Sequence, residues 1–282
     1  VPVMLVVLHG LGNELALIVL GESQTPLTQL ALIVGLAGLA GIVALHVVAT
    51  VYSLRYPRLV QRRTQPITER LRRALFGHAR STQHYSAADI SPCFRVIGRP
   101  PADAPYAEMA RDEFRGYVLK VGGLVEQRLR LSLQELRALP RQTQLTKHCC
   151  IQGWSAVAEW SGIPLSQIIE LCRPLASARF AVFYAFDDKS TSEPHPAGPG
   201  VFYGTLDIEL AMHPQTILAF EMNGHPLPVP HGAPLRLRVE TQLGFTMVKY
   251  IRRIDFVDDY RNIGEGQGGW REDHQFYSQE AG

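Results

Sequence analysis

Apolar residues are distributed unevenly along this chain, and two long apolar runs lie near its beginning. Residues 30–52 read LALIVGLAGLAGIVALHVVATVY and contain no Asp, Glu, Lys or Arg. About 20 such residues are enough for a helix to span the hydrocarbon core of a bilayer, so this run predicts a transmembrane helix. Residues 1–20 are nearly as apolar but include His9, Asn13 and Glu14, which suits a second span whose polar side faces other helices. A buried hairpin in a soluble domain is the alternative for the pair.

Arginine is concentrated directly after the second apolar run. Residues 55–80 contain eight arginines and one glutamate, whereas residues 21–26 contain no Lys or Arg. Because the positively charged flanks of membrane helices stay on the cytoplasmic side, the arginine-rich end is predicted to be cytoplasmic. Ile67, Leu71 and Leu75 recur there at helical spacing, so the segment is either a short helix lying on anionic lipid or a solvated basic linker.

After residue 115 the apolar runs become short and are separated by turn residues. Asn223 and Gly224 predict a tight hairpin turn between two such runs. Strands outnumber helices and the two do not alternate regularly, so the predicted fold class is α+β. The runs that are typical of strands cover residues 117–121, 124–132, 179–186, 216–222, 234–240 and 248–257.

Two short helices are predicted between these strands. Ser132 and Glu135 form a capping box that opens a helix ending before Pro140. A second helix is predicted over residues 163–171, where Pro164 supplies the first-turn signal.

Composition excludes several classes of protein. A net charge of +2 and 19% charged residues give no overall basic character that would favour nucleic acid as a partner. Four cysteines at irregular spacing do not make a disulfide framework, and the absence of a CxxC pair argues against a zinc site. The sequence begins at Val1 and is already apolar there, so we expect the membrane region to be truncated.

The densest group of chemically active residues is HCCIQGWS, residues 148–155. A cysteine thiolate is a good ligand for a soft or redox-active metal, and neighbouring aromatic and amide groups can enclose such a metal. A cysteine beside an apolar strand is more often a small buried hydrophobic residue. The cluster alone therefore leaves both interpretations open.

Two longer segments resemble the sulfite-oxidase-fold family of molybdopterin enzymes. HCCIQGWSAVAEWSGIPLSQIIELCRP, residues 148–174, is similar to the segment in which one cysteine binds molybdenum and a Trp-Ser pair follows. MHPQTILAFEMNGHPLPVPHGAPLRLRVETQLGFTMVKYIRRIDF, residues 212–256, is similar to the cofactor-binding half of the same fold. The resemblance covers roughly residues 91–277. It implies a sulfite-oxidase-type domain with a molybdenum-molybdopterin cofactor.

The resemblance also implies which residues form the site. Methionine-sulfoxide reductase subunits of this family place the metal ligand four residues before the tryptophan of the Trp-Ser pair, which here is Cys150, with Cys149 as the competing thiol. The family's polar residue and arginine in the pterin pocket fall on His231 and Arg236. An arginine offers a planar fork of donors to the pterin phosphate, although an ordinary strand arginine paired with a carboxylate is the alternative.

A third family motif, a backbone pair followed by a lysine, matches Met247, Val248 and Lys249. Lys249 would place a second positive charge near the pterin phosphate. Two departures concern the substrate more than the cofactor. Ala185 stands where the reductases have threonine, and their early Asn-containing segment has no clean match in ISPCFRVIGRPP, residues 90–101.

The closest overall pattern is a branch of the family with a cytochrome-b-like membrane region. This makes His9 and His46 candidate ligands of haem b, although a single histidine per helix can also hydrogen-bond inside a bundle. The two lie at depths that differ by roughly 10 Å at 1.5 Å rise per residue, so each would need a partner from another helix.

We therefore expect three parts: a membrane region over residues 1–54 with spans at about 1–20 and 30–53, a basic linker over residues 55–90, and an oxidoreductase domain over residues 91–282. The expected reaction is two-electron oxygen-atom transfer on a small substrate, with electrons exchanged with a haem b or quinone partner. The protein is expected in the inner membrane with its catalytic domain on the cytoplasmic side, although the related reductases are periplasmic. A catalytically inactive, membrane-anchored scaffold of the same fold is the alternative.

Overall fold

A computed structural model of the chain describes residues 26–56, 84–190 and 200–274, together with residues 60, 63, 64, 67 and 71. The chain divides into two compact units, Val1–Ile67 and Thr68–Gly282. The predicted membrane span over residues 1–20, and with it His9, lies outside the described residues.

The first unit contains one long apolar helix, α1, which covers Pro26–Arg55. Among the described residues, one stretch is long and apolar enough to cross a membrane, and it is Ile33–Arg55. Apolar side chains are exposed all round this stretch, and His46 is exposed as well. A helix that is apolar on every side is typical of a membrane span when no protein core encloses it. The helix coincides with the predicted span over residues 30–53.

The basic stretch after α1 is described only in part. Ile67 and Leu71 are helical and exposed, and Leu75 lies outside the described residues. Whether this segment lies on lipid or in water therefore stays a prediction.

The described part of the second unit combines short helices with two sheets. The helices are α2 (Ala104–Arg111), α3 (Leu133–Ala138), α4 (Leu165–Cys172), α5 (Ile208–Ala211) and α6 (Trp270–His274). The strands are β1 (Val118–Gly123), β2 (Leu129–Ser132), β3 (Gln142–Cys149), β4 (Ser155–Pro164), β5 (Phe180–Asp188), β6 (Val201–Asp207), β7 (Thr216–Met222), β8 (His225–Pro226), β9 (Arg236–Val239) and β10 (Ile251–Val257).

The strands form two sheets of five strands each. The first has the order β2-β1-β10-β5-β6, and in it β1 and β10 run parallel while the other neighbours are antiparallel. In the second, β3, β4 and β7 are antiparallel neighbours, and β7 pairs with both β8 and β9. This mixture of sheets and short helices confirms the predicted α+β class.

Local sequence signals are confirmed at several element ends. The Ser132 backbone N–H donates to the Glu135 carboxylate at 2.7 Å, and the Glu135 N–H donates to the Ser132 hydroxyl at 3.2 Å, which completes the predicted capping box. Helix α4 begins directly after Pro164. Asn223 and Gly224 have φ angles of 51° and 75°, as a tight hairpin turn with two left-handed residues requires.

The strand predicted over residues 124–132 is wrong in its first half. Strand β2 begins only at Leu129. The preceding backbone bonds elsewhere, because the Leu124 N–H donates to the carbonyl of Phe256 and the Glu126 N–H donates to the carbonyl of Arg173. The apolar pattern of the sequence therefore begins before Leu129, where the paired strand β2 starts.

The pairing of β3 with β4 positions the functional region. The two strands are in register from Gln142 opposite Gly162 to Cys149 opposite Ser155. Residues 150–154 therefore form the turn at the end of this hairpin. The side chain of Trp160, on β4, is fully buried in the core against which the hairpin packs.

We expect Gly162→Ala to destabilise the second sheet. An added Cβ would lie 2.0 Å from the carbonyl oxygen of Leu218 and 2.6 Å from Cα of Ala219, both in the backbone of the paired strand β7. Overpacking of this kind lowers the free energy of unfolding by roughly 1–3 kcal/mol. The control Gly116→Ala, where an added Cβ meets nothing within 4 Å, should change it by less than about 0.5 kcal/mol. Denaturant unfolding in detergent measures both variants, and equal stabilities would contradict the close approach of these backbones.

Candidate functional site

A cavity of about 790 Å³ opens beside the β3–β4 turn. Its wall combines the turn, the irregular segment before α2, the end of β5, the β8–β9 connection, the segment between β9 and β10, and the start of α6. The residues that carry its chemistry are Phe94, Arg95, Arg99, His148, Cys150, Trp154, Asp187, Lys189, His231, Arg236, Met247, Lys249, Trp270 and Arg271.

Cys150 lines this cavity from the first position of a tight turn. His148, near the end of β3, also lines the cavity, while Cys149 is exposed and does not line it. The Cys150 N–H donates to the carbonyl of Trp154 at 2.9 Å, and the Gly153 N–H donates to the carbonyl of Cys150 at 3.1 Å. These two bonds fix the backbone that presents the thiol.

Positive side chains converge on another part of the cavity wall. The Arg236 guanidinium donates to the carbonyl of His231 at 2.9 Å, and its Nε has no hydrogen-bond partner among the described residues although it is buried. Lys249 donates through Nζ to the carbonyls of Ile97 and Pro230 at 2.8 and 3.0 Å. An orphaned buried donor is uncommon in a folded protein, and here it marks a place for an acceptor.

Burial and neighbouring cations lower the pKa of Arg236 and of Lys249, although the charge of Asp187, which also lines the cavity, opposes the shift at Lys249. Burial, followed by the charge of the nearby Arg238, lowers the pKa of Arg236 to about 9. Burial and then the charge of Arg236 lower the pKa of Lys249 to about 7. Burial lowers the pKa of His231 to about 4, with Arg236 and Lys249 adding to the shift, so its ring is neutral. An anion bound here would relieve the mutual repulsion of these cations.

A buried ion pair lies behind the cavity. Arg238 donates to the Glu240 carboxylate at 2.8 Å, and the side chains of both residues are fully buried. The same guanidinium lies 2.9 Å from Nδ1 of His148. Burial, followed by the charges of Arg238 and Arg236, lowers the pKa of His148 to about 3.

Aromatic rings line the cavity wall that connects the turn with His231. Phe94 is the centre of this group, with ring centroids 5.1 Å from His148, 5.7 Å from Trp154, 5.4 Å from Trp160 and 5.4 Å from His231. Apolar rings in this position exclude water from the region between the thiol and the basic wall.

The structure brings together most of the residues predicted for the site. Cys150, His231, Arg236, Met247 and Lys249 all line the cavity. Their roles remain predictions.

The predicted residue Val248 is placed differently. Its side chain is buried in the core beside Gly204. Its N–H donates to the carbonyl of Thr246, and its carbonyl accepts from the N–H of Leu237. The strand connection thus turns Val248 away while Met247 and Lys249 face the cavity. Ala185, the departure from threonine, is fully buried and does not line the cavity.

Sequence reasoning missed the irregular segment that forms one wall. Phe94, Arg95 and Arg99 line the cavity from the stretch that has no clean match to the Asn-containing segment of the reductases. Two arginines beside a phenylalanine, directly before a proline-rich turn, were the available signal.

The C-terminal wall was also missed. Trp270 and Arg271 reach the cavity from α6. This helix is held by Asp273, which accepts from the Tyr203 hydroxyl at 2.6 Å and from the N–H groups of Glu265 and Gln267 at 2.9 Å each. Burial lowers the pKa of Arg271, and the charges of Glu272, Cys150 and Asp187 oppose that shift. Arg271 is therefore an electrostatic neighbour of the thiol.

The residues present fit a molybdopterin cofactor. Cys150 is the thiol that lines the cavity, and one protein thiolate is suited to a soft metal whose other ligands come from a bound molecule. An added Cβ at Gly232 would lie 3.1 Å from Cβ of both Arg236 and Lys249. The glycine thus lets the two cationic side chains approach each other. Arg236 and Lys249 would hold the phosphate, and Cys150 would hold the metal.

We expect Lys249→Met to change how stability depends on pH in cofactor-free protein. The pKa of Lys249 is about 7 when folded and has an ordinary value of 10.5. Between these values the unfolded chain binds the proton that the folded chain loses, so the free energy of unfolding rises with pH across this window. The stability advantage of the variant over the wild type should therefore be largest at pH 7 and shrink towards pH 10.

Thermal unfolding at several pH values measures this difference. Lys120→Met, at an exposed position of β1, is the matched control and should show no such trend. A difference between Lys249→Met and the wild type that is independent of pH would contradict the crowding of cations around Lys249.

A family model and several known proteins are similar to this chain. A family model described as an oxidoreductase molybdopterin binding domain matches residues 106–263. A putative protein-methionine-sulfoxide reductase subunit YedZ1 from Azospira oryzae is 33% identical over 184 residues, which are 64% of this chain and 63% of that protein. The protein-methionine-sulfoxide reductase catalytic subunit MsrP from Xanthomonas axonopodis pv. citri is 35% identical over 151 residues, 50% of this chain and 45% of that protein.

Among solved structures, the sulfane dehydrogenase SoxCD from Paracoccus pantotrophus matches with a TM-score of 0.44 and 24% identity, covering 51% of this chain and 39% of that one. The chain spans less than two thirds of the length of the curated relatives named above. The family model nevertheless covers more than half of the chain. The chain therefore belongs to the family of oxidoreductases that carry a molybdopterin-binding domain.

Proposed function

We propose that the protein is a membrane-tethered molybdenum-molybdopterin oxidoreductase that transfers an oxygen atom to or from a small substrate, with sulfoxide reduction as the favoured direction. The observation that carries the proposal is that the thiol of Cys150 lines the same cavity as the cations Arg236 and Lys249. Family membership supports the cofactor. The names of the reductase relatives support the sulfoxide.

When bound, the cofactor supplies two-electron redox chemistry at molybdenum. The chain's own residues would fix its place. Arg236 and Lys249 would bind the phosphate through charge-assisted hydrogen bonds, and the neutral ring of His231 lies beside them without adding to the repulsion. Cys150 would supply one thiolate, which the bonds of the turn hold in place.

The substrate would approach the metal past residues of the cavity wall. Trp154 and Phe94 present apolar surface that excludes water and suits the carbon and sulfur atoms of a sulfoxide. Arg271 is an electrostatic neighbour of Cys150 and is suited to bind the sulfoxide oxygen, where negative charge is concentrated. A bound sulfoxide would then contact a polar donor and an apolar surface of the protein at the same time.

The membrane part of the proposal is supported by α1. A helix that is long and apolar enough to cross a bilayer would tether the oxidoreductase domain to the inner membrane. We propose that a haem b or quinone in the membrane exchanges electrons with the metal, and that the arginine-rich flank keeps the domain on the cytoplasmic side. Haem ligation by His46 would require a partner from another helix.

We expect Cys150→Ser to abolish the thiolate-to-molybdenum charge-transfer absorption of the purified protein. Removing a metal ligand should lower metal occupancy or activity by at least the 10- to 100-fold typical for outer-shell partners. Cys149→Ser is the matched control, because its side chain is exposed and does not line the cavity, and it should keep both the absorption and the metal. Full molybdenum in Cys150→Ser protein, or none in the wild type, would overturn the assignment, and the latter result would favour an inactive scaffold.

We also expect the detergent-solubilised protein to oxidise a reduced viologen dye when methionine sulfoxide is added. The consumption of dye should depend on sulfoxide and should be lost in Cys150→Ser protein, since the reaction needs the metal centre. Oxidation of sulfite with no response to sulfoxides would contradict the favoured direction while leaving the oxidoreductase class intact.

A further inference from the structure

His148 is a second side chain of the metal-binding hairpin that faces the cavity, and the proposed function gives it no role. It lies on β3 two residues before Cys150, which is the first residue of the turn, and both residues line the cavity. The side chain is only 5% exposed. A buried histidine is most often a satisfied core residue, so the partners of each ring nitrogen decide what it does.

The partner of Nδ1 fixes the tautomer of this ring. Nη1 of Arg238 lies 2.9 Å from Nδ1 of His148. A guanidinium has donors and no acceptor, so Nδ1 must accept the hydrogen bond and the ring proton must be on Nε2. Arg238 is itself held by the fully buried carboxylate of Glu240. The orientation of His148 is therefore set by a buried ion pair.

The other ring nitrogen is left open towards the cavity. Within the part of the chain that the structure describes, the hydrogen bond of the His148 ring is the one at Nδ1. An added Cβ at Gly244 would lie 2.1 Å from Cε1 and 2.2 Å from Nε2 of His148, so the glycine gives this edge of the ring its room. The flanking rings of Phe94 and Trp154 offer no acceptor. Among the described residues, the Nε2 donor therefore has a fixed direction and no hydrogen-bond partner.

We propose that His148 donates a hydrogen bond through Nε2 to an anionic sulfur atom that the bound pterin supplies to the metal's ligand sphere. Arg238 is the positioning residue that fixes the donor. This inference rests on the proposed function, because it needs molybdenum at Cys150. Hydrogen bonds to sulfur ligands stabilise the more electron-rich state of a metal centre and raise its reduction potential.

The test compares His148→Leu, which removes the donor, with His148→Gln, whose amide oxygen accepts from Arg238 while its N–H donates. A redox titration of the full-length protein, followed by the electron paramagnetic resonance signal of pentavalent molybdenum, measures the midpoint potential without turnover. We expect His148→Leu to lower the potential by about 59 mV if the equilibrium changes tenfold in a one-electron step. His148→Gln should restore most of the wild-type value.

Gly244→Ala provides a second route to the same result if His148→Leu does not fold. The added methyl group would push the ring off its position while the imidazole remains, so the potential should fall as it does in His148→Leu protein. Gly116→Ala, where nothing lies within 4 Å of an added Cβ, is the control and should leave the potential unchanged.

Each outcome has a defined meaning. An unchanged potential in molybdenum-loaded His148→Leu or Gly244→Ala protein would overturn the inference while leaving the proposed function standing. Equal shifts in His148→Leu and His148→Gln protein would also overturn it, because the donor would then not be the cause. Wild-type protein without molybdenum would instead refute the proposed function on which the inference rests.

Discussion

The site depends on two guanidinium groups that share one buried indole ring. Arg236 and Arg238 are two residues apart on β9, and their Cζ atoms lie 4.7 and 4.4 Å from the centre of the Trp160 ring. Two buried cations repel each other, and the attraction of each to the aromatic face offsets part of that cost. Glu240 neutralises Arg238, so the uncompensated charge is that of Arg236, which faces the cavity. The positively charged wall that would bind an anion is therefore already formed by the protein alone.

The stack of Arg236, Arg238 and Trp160 connects the proposed metal-binding part of the centre with its proposed phosphate-binding part. Trp160 belongs to β4, the partner strand of the hairpin that ends in Cys150. Arg238 contacts His148 on β3, while Arg236 belongs to the proposed phosphate contact. A change in the indole ring would therefore disturb the metal side and the phosphate side together. Such shared support explains how a site made from loops and strand ends keeps a fixed geometry.

Sequence patterns predicted what is local and failed where geometry comes from distant or irregular backbone. The capping box at Ser132 and the turn at Asn223 depend on a few adjacent residues, so both could be read directly. The family resemblance located Cys150 and Arg236 because those motifs are contiguous. The parallel pairing of β1 with β10 joins segments more than 100 residues apart, which no local pattern encodes. Phe94 and Arg271 reach the cavity from segments without strand periodicity, and their placement needed the fold.

The Asp273 carboxylate, with its three hydrogen bonds, has a consequence for how the protein is made. The wall that it anchors follows every described strand in the sequence, so both sheets and the paired arginines leave the ribosome before Trp270 does. Trp270 and Arg271 can line the cavity only once this segment has docked. The bonds of Asp273 therefore complete one side of the cavity after the strands that form the rest of it have been synthesised.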